Sequence, residues 1–293
     1  ISCRKLPPFF EYKHRIVYSK FEQVNETDEI FHPSVRETFK FANVTDGLEI
    51  HHDGDLPARS GIGSSSSFTV GLLNALYALQ GKMVSKRKLA IDAIHIEQEM
   101  IKENVGSQDQ IIAAFGGFNK IEFSNEHHFE ISPVTIGQSR LQELENHLML
   151  FFSGFTRIAS KRAQDQVAKI KDNTQELKTM RSMVEEAIHI LNGNGDIADF
   201  GKLLHESWQL KKNLSDKVSN SHIDHVYEMA CKAGAIGGKI VGAGGGGFAL
   251  FFVKPEDREK LKEALNFLLY VPFGFDASGS RIAYYSEDFR DEV

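Results

Sequence analysis

The sequence predicts an α+β fold of two layered domains, because strand-like and helix-like patterns occur in both halves of its 293 residues. Residues 15–24 are rich in β-branched and aromatic side chains, which is typical of a strand, and residues 48–57 are expected to form a second strand that ends in a loop. Between residues 65 and 80 the apolar side chains recur at helical spacing. A hydrophobic content of 41% is enough for a substantial core.

Further elements follow along the chain. Ser107 is expected to cap a short helix and Gly116 to stop it. The polar stretch 137–147 is the expected boundary between an amino-terminal domain, 1–140, and a carboxy-terminal domain, 141–293. Because the chain starts in mid-pattern, we expect the amino-terminal domain to lack its first strands. The other expected elements are helices near 85–104, 106–117, 157–213, 221–234 and 255–269, and strands near 118–123 and 271–285.

Composition argues against several classes of function. The 34 Lys and Arg against 40 Asp and Glu give a net charge of −6, which disfavours a nucleic-acid surface. Cys3 and Cys231 are far apart, so neither a disulfide framework nor a cysteine-rich metal site is expected. No apolar run approaches the ~20 residues that span a membrane, and no signal segment opens the chain. A cytoplasmic protein without a membrane partner is the expectation.

A run of glycine and serine, "SGIGSSSS", lies directly before the first long helical pattern. Gly61 and Gly63 permit a tight turn, and the serines put hydroxyls and free amides at the amino end of a helix, where the dipole favours negative charge. This arrangement suits polyphosphate, although it lacks the G-K-[ST] of a Walker loop. An over-polar loop with an ordinary serine cap is the alternative.

A second glycine run, "GAGGGG", satisfies a dinucleotide pattern through Gly242, Gly244 and Gly247. A dinucleotide fold requires a helix immediately afterwards, whereas "FALFFV" predicts a strand. The glycines are therefore expected between two strands. A tight hairpin loop would explain two glycines, and four in succession indicate that something approaches the backbone closely.

One glutamate falls in the middle of an apolar helical stripe. Glu97 is three residues after Ile94 and four before Ile101, so it should be buried, whereas Glu99 should face solvent. A buried carboxylate needs a partner such as Arg, Lys or a metal ion. A structural ion pair is the alternative to a metal site. The stripe consists of Ala90, Ala93, Ile94 and Ile101.

Asp109 lies in the first turn of the short helix that follows. The helix dipole favours its ionised form, and Ile112 and Ala113 suggest that its side faces inward. An ionised carboxylate beside a substrate hydroxyl could accept its proton during phosphoryl transfer. The alternative is an ordinary acidic residue at a helix start.

The combined motifs resemble those of the GHMP kinases. "LPARSGIGSSSSFTVGLLNAL" is similar to the phosphate-binding motif of that superfamily and "GKIVGAGGGGFALFF" to its third motif, in the same order. "HIEQEMIKENVGSQDQIIAAFGGFNKIEF", "FFSGFTRIASK" and "LLHESWQLKKNLSDKVS" resemble the kinases of D-glycero-D-manno-heptose 7-phosphate and fucokinase-like enzymes. The resemblance implies a ribosomal-S5-like ATP-binding domain followed by a ferredoxin-like domain. The glycine-rich first motif of the superfamily has no counterpart here, which implies either a truncated chain or an inactive relative.

The resemblance also implies roles for individual residues. Ser65 and Glu97 would be the magnesium ligands, with Glu99 as the other acid at that spacing, and Asp109 matches the proposed catalytic base. Gly244, Gly245 and Gly246 would support the phosphate loop. The stretch expected to bind ATP contains Pro57, Gly61, Ile62, Gly63, Ser64, Ser65 and Ser66.

The expected function is ATP- and Mg²⁺-dependent phosphorylation of the anomeric hydroxyl of a heptose phosphate. Such a substrate needs cations, and the candidates are Arg157, Lys161, Lys211 and Lys217, for each of which a solvated surface position is the alternative. A kinase for unphosphorylated fucose or galactose and a non-catalytic sugar- and ATP-sensing protein are the other readings. A homodimer is one expected assembly.

Overall fold

The computed structural model divides the chain into two compact units. The first comprises Ile1–Pro57, Ser65–Gly117 and Asp276–Val293, and the second comprises Ala58–Ser64 and Phe118–Phe275. The boundary expected at residues 140 and 141 lies inside the second unit. The structure describes residues 1–56, 60–125, 128–154, 169, 172–242 and 244–286.

A four-stranded sheet forms one layer of the first unit. Its order is β1-β4-β2-β3, with β2 parallel to β4 and the other neighbours antiparallel. The single strand predicted at 15–24 is instead a hairpin, because the chain turns where the Tyr18 amide donates to the Lys20 carbonyl at 2.8 Å. The strands are β1 (Ser2–Lys5), β2 (His14–Val17), β3 (Phe21–Val24) and β4 (Leu48–His51).

Helices pack on this sheet around a core that includes Ile50, Phe39 and Leu72. After α3 the chain continues as a π-helical turn, Ile96–Met100. A π-turn inserts an extra residue into the helical ladder and is frequent at functional sites. The helices are α1 (Pro33–Phe41), α2 (Ser64–Leu79), α3 (Lys86–His95) and α4 (Gln108–Phe115), with a 3₁₀ turn at Thr27–Glu29.

The end of α4 is held by the segment after residue 275. Gly116 has a φ of +65° and stops α4 as expected, and Gly279 packs against it so closely that a Cβ on Gly279 would lie 2.5 Å from the Gly116 amide nitrogen. Lys86 Nζ donates to the Phe115 and Ser278 carbonyls at 2.8 and 2.7 Å. The expected Ser107 side-chain cap does not form, since its hydroxyl accepts from the Gln98 amide instead.

The second unit contains an antiparallel four-stranded sheet and a hairpin. The sheet order is β10-β7-β9-β8, and β5 pairs with β6. Of the strands expected at 271–285, one short strand forms at the very start, Leu269–Val271. Residues 272–286 contain no strand. The strands are β5 (Asn119–Asn125), β6 (His128–Pro133), β7 (Leu148–Phe152), β8 (Ala235–Ile240), β9 (Phe248–Val253) and β10 (Leu269–Val271).

The polar stretch expected as the domain boundary is a helix, because Leu144 is buried and anchors it. No helix in the described ranges is both long and apolar enough to cross a membrane. The helices of this unit are α5 (Gln138–His147), α6 (Thr174–Asn192), α7 (Ala198–Asn213), α8 (Ser221–Lys232) and α9 (Arg258–Ala264), with a 3₁₀ turn at Pro255–Asp257.

Helix α7 lies directly against strand β8. A Cβ on Gly237 would clash with the Gly201 carbonyl and would lie 2.8 Å from the His205 amide nitrogen. A Cβ on Gly201 would meet the Phe252 ring at 2.5 Å. Only glycine permits this backbone approach, which fixes α7 relative to the strand that leads into the glycine run.

Candidate active site

Glu97 lies in the π-turn of the first unit and is completely buried, as its place in the apolar stripe predicted. The Ser66 hydroxyl, from α2, donates to Glu97 Oε2 at 2.8 Å. The Gln110 amide nitrogen, from α4, donates to the same oxygen. Three separate elements therefore converge on one carboxylate.

The expected cationic partner of Glu97 is not present among the residues that the structure describes. Its Oε1 is buried and has no hydrogen-bond partner, and the same is true of Gln110 Oε1. Burial raises the pKa of Glu97, although hydrogen bonds from Ser66, Thr69 and Gln110 oppose the shift. An open carboxylate oxygen among hydroxyl and amide oxygens is the type of donor set that Mg²⁺ prefers.

The serines differ in what they contact. Ser65, the expected magnesium ligand, is exposed, and its carbonyl accepts from Thr69 Oγ1 at 3.2 Å. Ser66 is buried and is the serine that reaches Glu97. Residue 66 precedes the buried residues Thr69 and Leu73 by three and seven positions, so it lies on the inner face of α2. Helical phase could have identified it.

Asp109 does not face inward as expected. Its side chain is exposed, whereas Gln110, Ile111 and Ala114 form the buried face of α4. The protein around Asp109 nevertheless raises its pKa by desolvation. Glu99 is exposed, as predicted, and does not join Glu97. The buried neighbour Gln110 was not identified from the sequence, although its spacing from Ala114 marks the inner face.

In the second unit the two glycine segments are packed together. A Cβ on Gly242 would clash with the Gly61 carbonyl, and one on Gly247 would clash with the Ser60 carbonyl. Gly61 and Gly63 have φ of +85° and +75°, which suits an exposed turn. The close approach that the glycine run predicted is therefore made by residues 60 and 61. Ile62 and Ser64 lie in the same segment, half-buried.

The middle of the glycine run packs on a second support. A Cβ on Gly244 would lie 2.7 Å from the Val218 carbonyl, and that carbonyl accepts from the Gly245 amide at 2.7 Å. Gly244, Gly245 and Gly246 are buried and all have positive φ. Strand β9 follows the run directly, which removes the dinucleotide interpretation.

The cationic candidates separate clearly. Lys211 Nζ donates to the Gly242 carbonyl at 2.5 Å, so it touches the glycine run, whereas Lys217 is exposed. Desolvation and repulsion from Lys239 lower the pKa of Lys211 to about 7. Lys239 is a residue that the sequence reasoning missed. Two cationic candidates, Arg157 and Lys161, lie outside the described residues, as does Pro57 of the stretch expected to bind ATP.

Comparison with known proteins agrees with these features. The family models "GHMP kinases N terminal domain" and "GHMP kinases C terminal" match residues 30–117 and 183–271. Over 220 residues the chain is 34% identical to the D-glycero-alpha-D-manno-heptose 7-phosphate kinase of Campylobacter jejuni, which covers 74% of this chain and 65% of that protein. It is 28% identical over 226 residues to a bifunctional fucokinase/GDP-fucose pyrophosphorylase of Arabidopsis thaliana, covering 74% and 21%. The match thus spans less than two thirds of either relative.

A solved structure shares the fold. The crystal structure of a D-glycero-D-manno-heptose 1-phosphate kinase from Bacteroides thetaiotaomicron superposes with a TM-score of 0.74 at 23% identity, covering 97% of this chain and 87% of that one. The α+β fold, the order of the two domain models and the similarity to the Campylobacter kinase agree with one another. The chain belongs to the GHMP kinase family.

Proposed function

We propose that the chain is a kinase that transfers the γ-phosphoryl group of ATP to the anomeric hydroxyl of D-glycero-D-manno-heptose 7-phosphate. The observation that carries the proposal is the buried Glu97, which accepts from Ser66 and keeps one oxygen without a partner. The choice of sugar follows the name of the Campylobacter relative.

The phosphates of ATP would bind the free amides around Gly61, Gly63 and Ser64. The amino end of α2 begins at Ser64, and helix amino ends favour anions. Gly242 and Gly247 press on the backbone of residues 60 and 61. This packing would hold the loop in one conformation and reduce the ordering cost of binding.

The side chains of Ser66 and Glu97 would hold a magnesium ion, with Ser65 available at the exposed side of the same helix turn. In the described residues no group of three or more His, Cys, Asp or Glu could hold a metal by itself, so phosphate oxygens and water would supply the other ligands. When bound, Mg²⁺ neutralises charge on the phosphate oxygens during transfer. Glu97 would then remain ionised despite its burial.

Asp109 would accept the proton of the anomeric hydroxyl as that oxygen attacks the γ-phosphorus. The new O–P bond forms while the bond to the ADP oxygen breaks, and the proton stays on the carboxylate until product leaves. The raised pKa of Asp109 brings its proton affinity closer to neutral pH, which favours a general base.

The test is turnover with defined sugars, followed by ³¹P NMR of the products. We expect a heptose 1,7-bisphosphate from the 7-phosphate and much slower turnover of unphosphorylated heptose, fucose and galactose. Equal turnover of heptose with and without its 7-phosphate would contradict the choice of substrate. It would favour a kinase of unphosphorylated sugars, which the fucokinase named in the Arabidopsis relative makes the second candidate. ATP binding without transfer to any sugar would favour a sensing protein.

A further inference from the structure

Two lysines approach the glycine run from neighbouring elements of the second unit. Lys239 lies two residues after Gly237 on β8, so both residues point to the same face of the strand. That face is covered by α7, because a Cβ on Gly237 would meet the backbone of Gly201 and His205. Lys239 therefore projects towards α7.

Lys211 lies on α7 and contacts the glycine run directly. It lies in the last turn of α7, and its Nζ donates to the carbonyl of Gly242, three residues beyond Lys239. Helix and strand thus run together from the Gly201–Gly237 contact to the Lys211–Gly242 contact. The Lys211 ammonium group therefore lies at the start of the glycine run, and Lys239 is close enough to repel it.

Neither ammonium group is neutralised by an acidic side chain within the described ranges. The next lysine along the helix shows the contrast, since Lys212 pairs with Asp224 at 2.5 Å. Desolvation lowers the pKa of Lys239, and desolvation together with Lys239 lowers that of Lys211. Two cations that repel each other in a poorly solvated place cost stability unless an anion joins them.

We propose that Lys211 and Lys239 form a binding site for a phosphate group at the start of the glycine run. A phosphate group carries close to two negative charges at neutral pH, so one group neutralises both lysines and accepts from each. The choice of phosphate-bearing molecules rests on the proposed kinase function. The group can come from a sugar phosphate or from ATP, and the experiment separates these sources.

The first experiment is calorimetric titration of the full chain with three ligands: ATP with Mg²⁺, heptose 7-phosphate, and unphosphorylated heptose. The variants are Lys211→Met, Lys239→Met and, as a matched control, Lys202→Gln. Lys202 is an exposed lysine on the same helix, paired with Asp199. We expect both methionine variants to bind one phosphorylated ligand about tenfold or more weakly, which is the loss of one charged hydrogen bond. Lys202→Gln should bind as the unchanged protein does.

The ligand whose affinity falls identifies the source. Weaker binding of heptose 7-phosphate, with ATP and unphosphorylated heptose unchanged, assigns the site to the sugar phosphate. Weaker binding of ATP alone assigns it to the nucleotide. If both methionine variants bind each ligand within about twofold of the unchanged protein, the proposal is wrong.

A second measurement uses the unchanged protein and so does not depend on variants that fold. Lysines are acetylated with a limiting reagent, with and without each ligand, and quantified by mass spectrometry. We expect a phosphorylated ligand to protect Lys211 and Lys239 and to leave Lys202 reactive. Equal labelling with and without every ligand overturns the proposal. Because labelling and calorimetry detect binding alone, protection in a chain that transfers no phosphoryl group contradicts the proposed function and supports the phosphate site.

Discussion

The hydroxyl of Ser66 donates a 2.8 Å hydrogen bond to Oε2 of the fully buried Glu97. The bond joins the first turn of α2 to a π-turn 31 residues later and lies within the first unit. It gives one serine of the run a role beyond helix capping. Because Oε1 of the same carboxylate has no partner, Ser66 orients Glu97 without satisfying it.

Replacing Ser66 with alanine should destabilise the protein and slow transfer. The change leaves a buried carboxylate with one donor fewer, which costs about 1–3 kcal/mol in the free energy of unfolding. Urea denaturation and steady-state kinetics measure the two effects. Ser65→Ala is the matched control, and because Ser65 is exposed it should change stability by less than about 0.5 kcal/mol. A larger loss of stability in Ser65→Ala than in Ser66→Ala would contradict this assignment.

Replacing Glu97 with glutamine should abolish transfer without loss of stability at pH 7. Burial raises the folded-state pKa of Glu97 above its ordinary 4.5, so the native state binds a proton more readily than the unfolded state. Its ionisation therefore lowers stability as pH rises through the folded pKa. We expect Glu97→Gln to be at least as stable as the unchanged protein at pH 7, with the difference shrinking towards pH 4.5.

Denaturation at both pH values, without metal, checks this expectation. The exposed Glu99→Gln is the control, and neither its stability nor its turnover should change appreciably. A Glu97→Gln variant that retains full turnover would remove Glu97 from the site.

Replacing Asp109 with asparagine should lower kcat by about 10²–10⁴, the usual contribution of a general base. Because the side chain is exposed and desolvation raises its pKa, asparagine should not lower stability, and thermal denaturation should give a midpoint no lower than that of the unchanged protein. In the unchanged protein desolvation raises the pKa of Asp109. Its kcat/KM should therefore fall as pH drops through that pKa, because the base becomes protonated. Calorimetry should show unchanged ATP affinity. Near-normal kcat in Asp109→Asn would exclude the base assignment.

The sequence predicted those features of the fold and the site that are determined within a single helix or strand. Helical spacing predicted the burial of Glu97, and the strand after the glycine run excluded a dinucleotide loop. The family resemblance implies Ser65 as the magnesium ligand, whereas in the structure the hydroxyl that reaches Glu97 is that of Ser66, on the inner face of α2. Ile112 and Ala113 predict an inward Asp109, but Gln110, Ile111 and Ala114 form the buried face of α4, because packing rather than local sequence sets the phase of so short a helix.

What could not be predicted depends on contacts between distant segments. The packing of Gly247 on the Ser60 carbonyl joins residues 187 positions apart, and no local pattern specifies such a pair. The helix at 138–147 was missed because its single buried anchor, Leu144, is outweighed by polar side chains. The sequence did not identify Lys239 as a candidate site residue. A single lysine in a strand gives no such signal until the structure shows that α7 covers its face.

Replacing Gly247 with alanine should disturb the loop around residues 60 and 61, which we propose binds the phosphates of ATP. Its φ of +90° is unfavourable for any other residue, and the added Cβ would clash with the Ser60 carbonyl. We expect the loop at 60 and 61 to shift and ATP to bind at least about tenfold more weakly, in line with backbone strain of about 1–3 kcal/mol. Gly195→Ala is the control, because Gly195 has an ordinary φ and open space around it. Equal ATP affinity in the two variants would show that the close packing is not needed for binding.

The pKa of Lys211 predicts how stability changes in alkaline solution. In the folded protein this pKa is lowered to about 7, whereas an unfolded lysine titrates near its ordinary 10.5. Between these values the unfolded state holds the proton that the folded state has released, so the free energy of unfolding should rise with pH. Lys239 contributes in the same direction. Urea denaturation at about pH 7 and pH 9.5 should show this rise in the unchanged protein and a smaller one in Lys211→Met.

Lys202→Gln separates this effect from a general loss of positive charge. Asp199 raises the pKa of Lys202 above 10.5, so its contribution to stability is lost only above that pH. The variant should therefore keep the full rise between pH 7 and pH 9.5. A rise that is equally reduced in Lys202→Gln and Lys211→Met would mean that net charge, rather than the desolvated position of Lys211 beside Gly242, controls stability in this range.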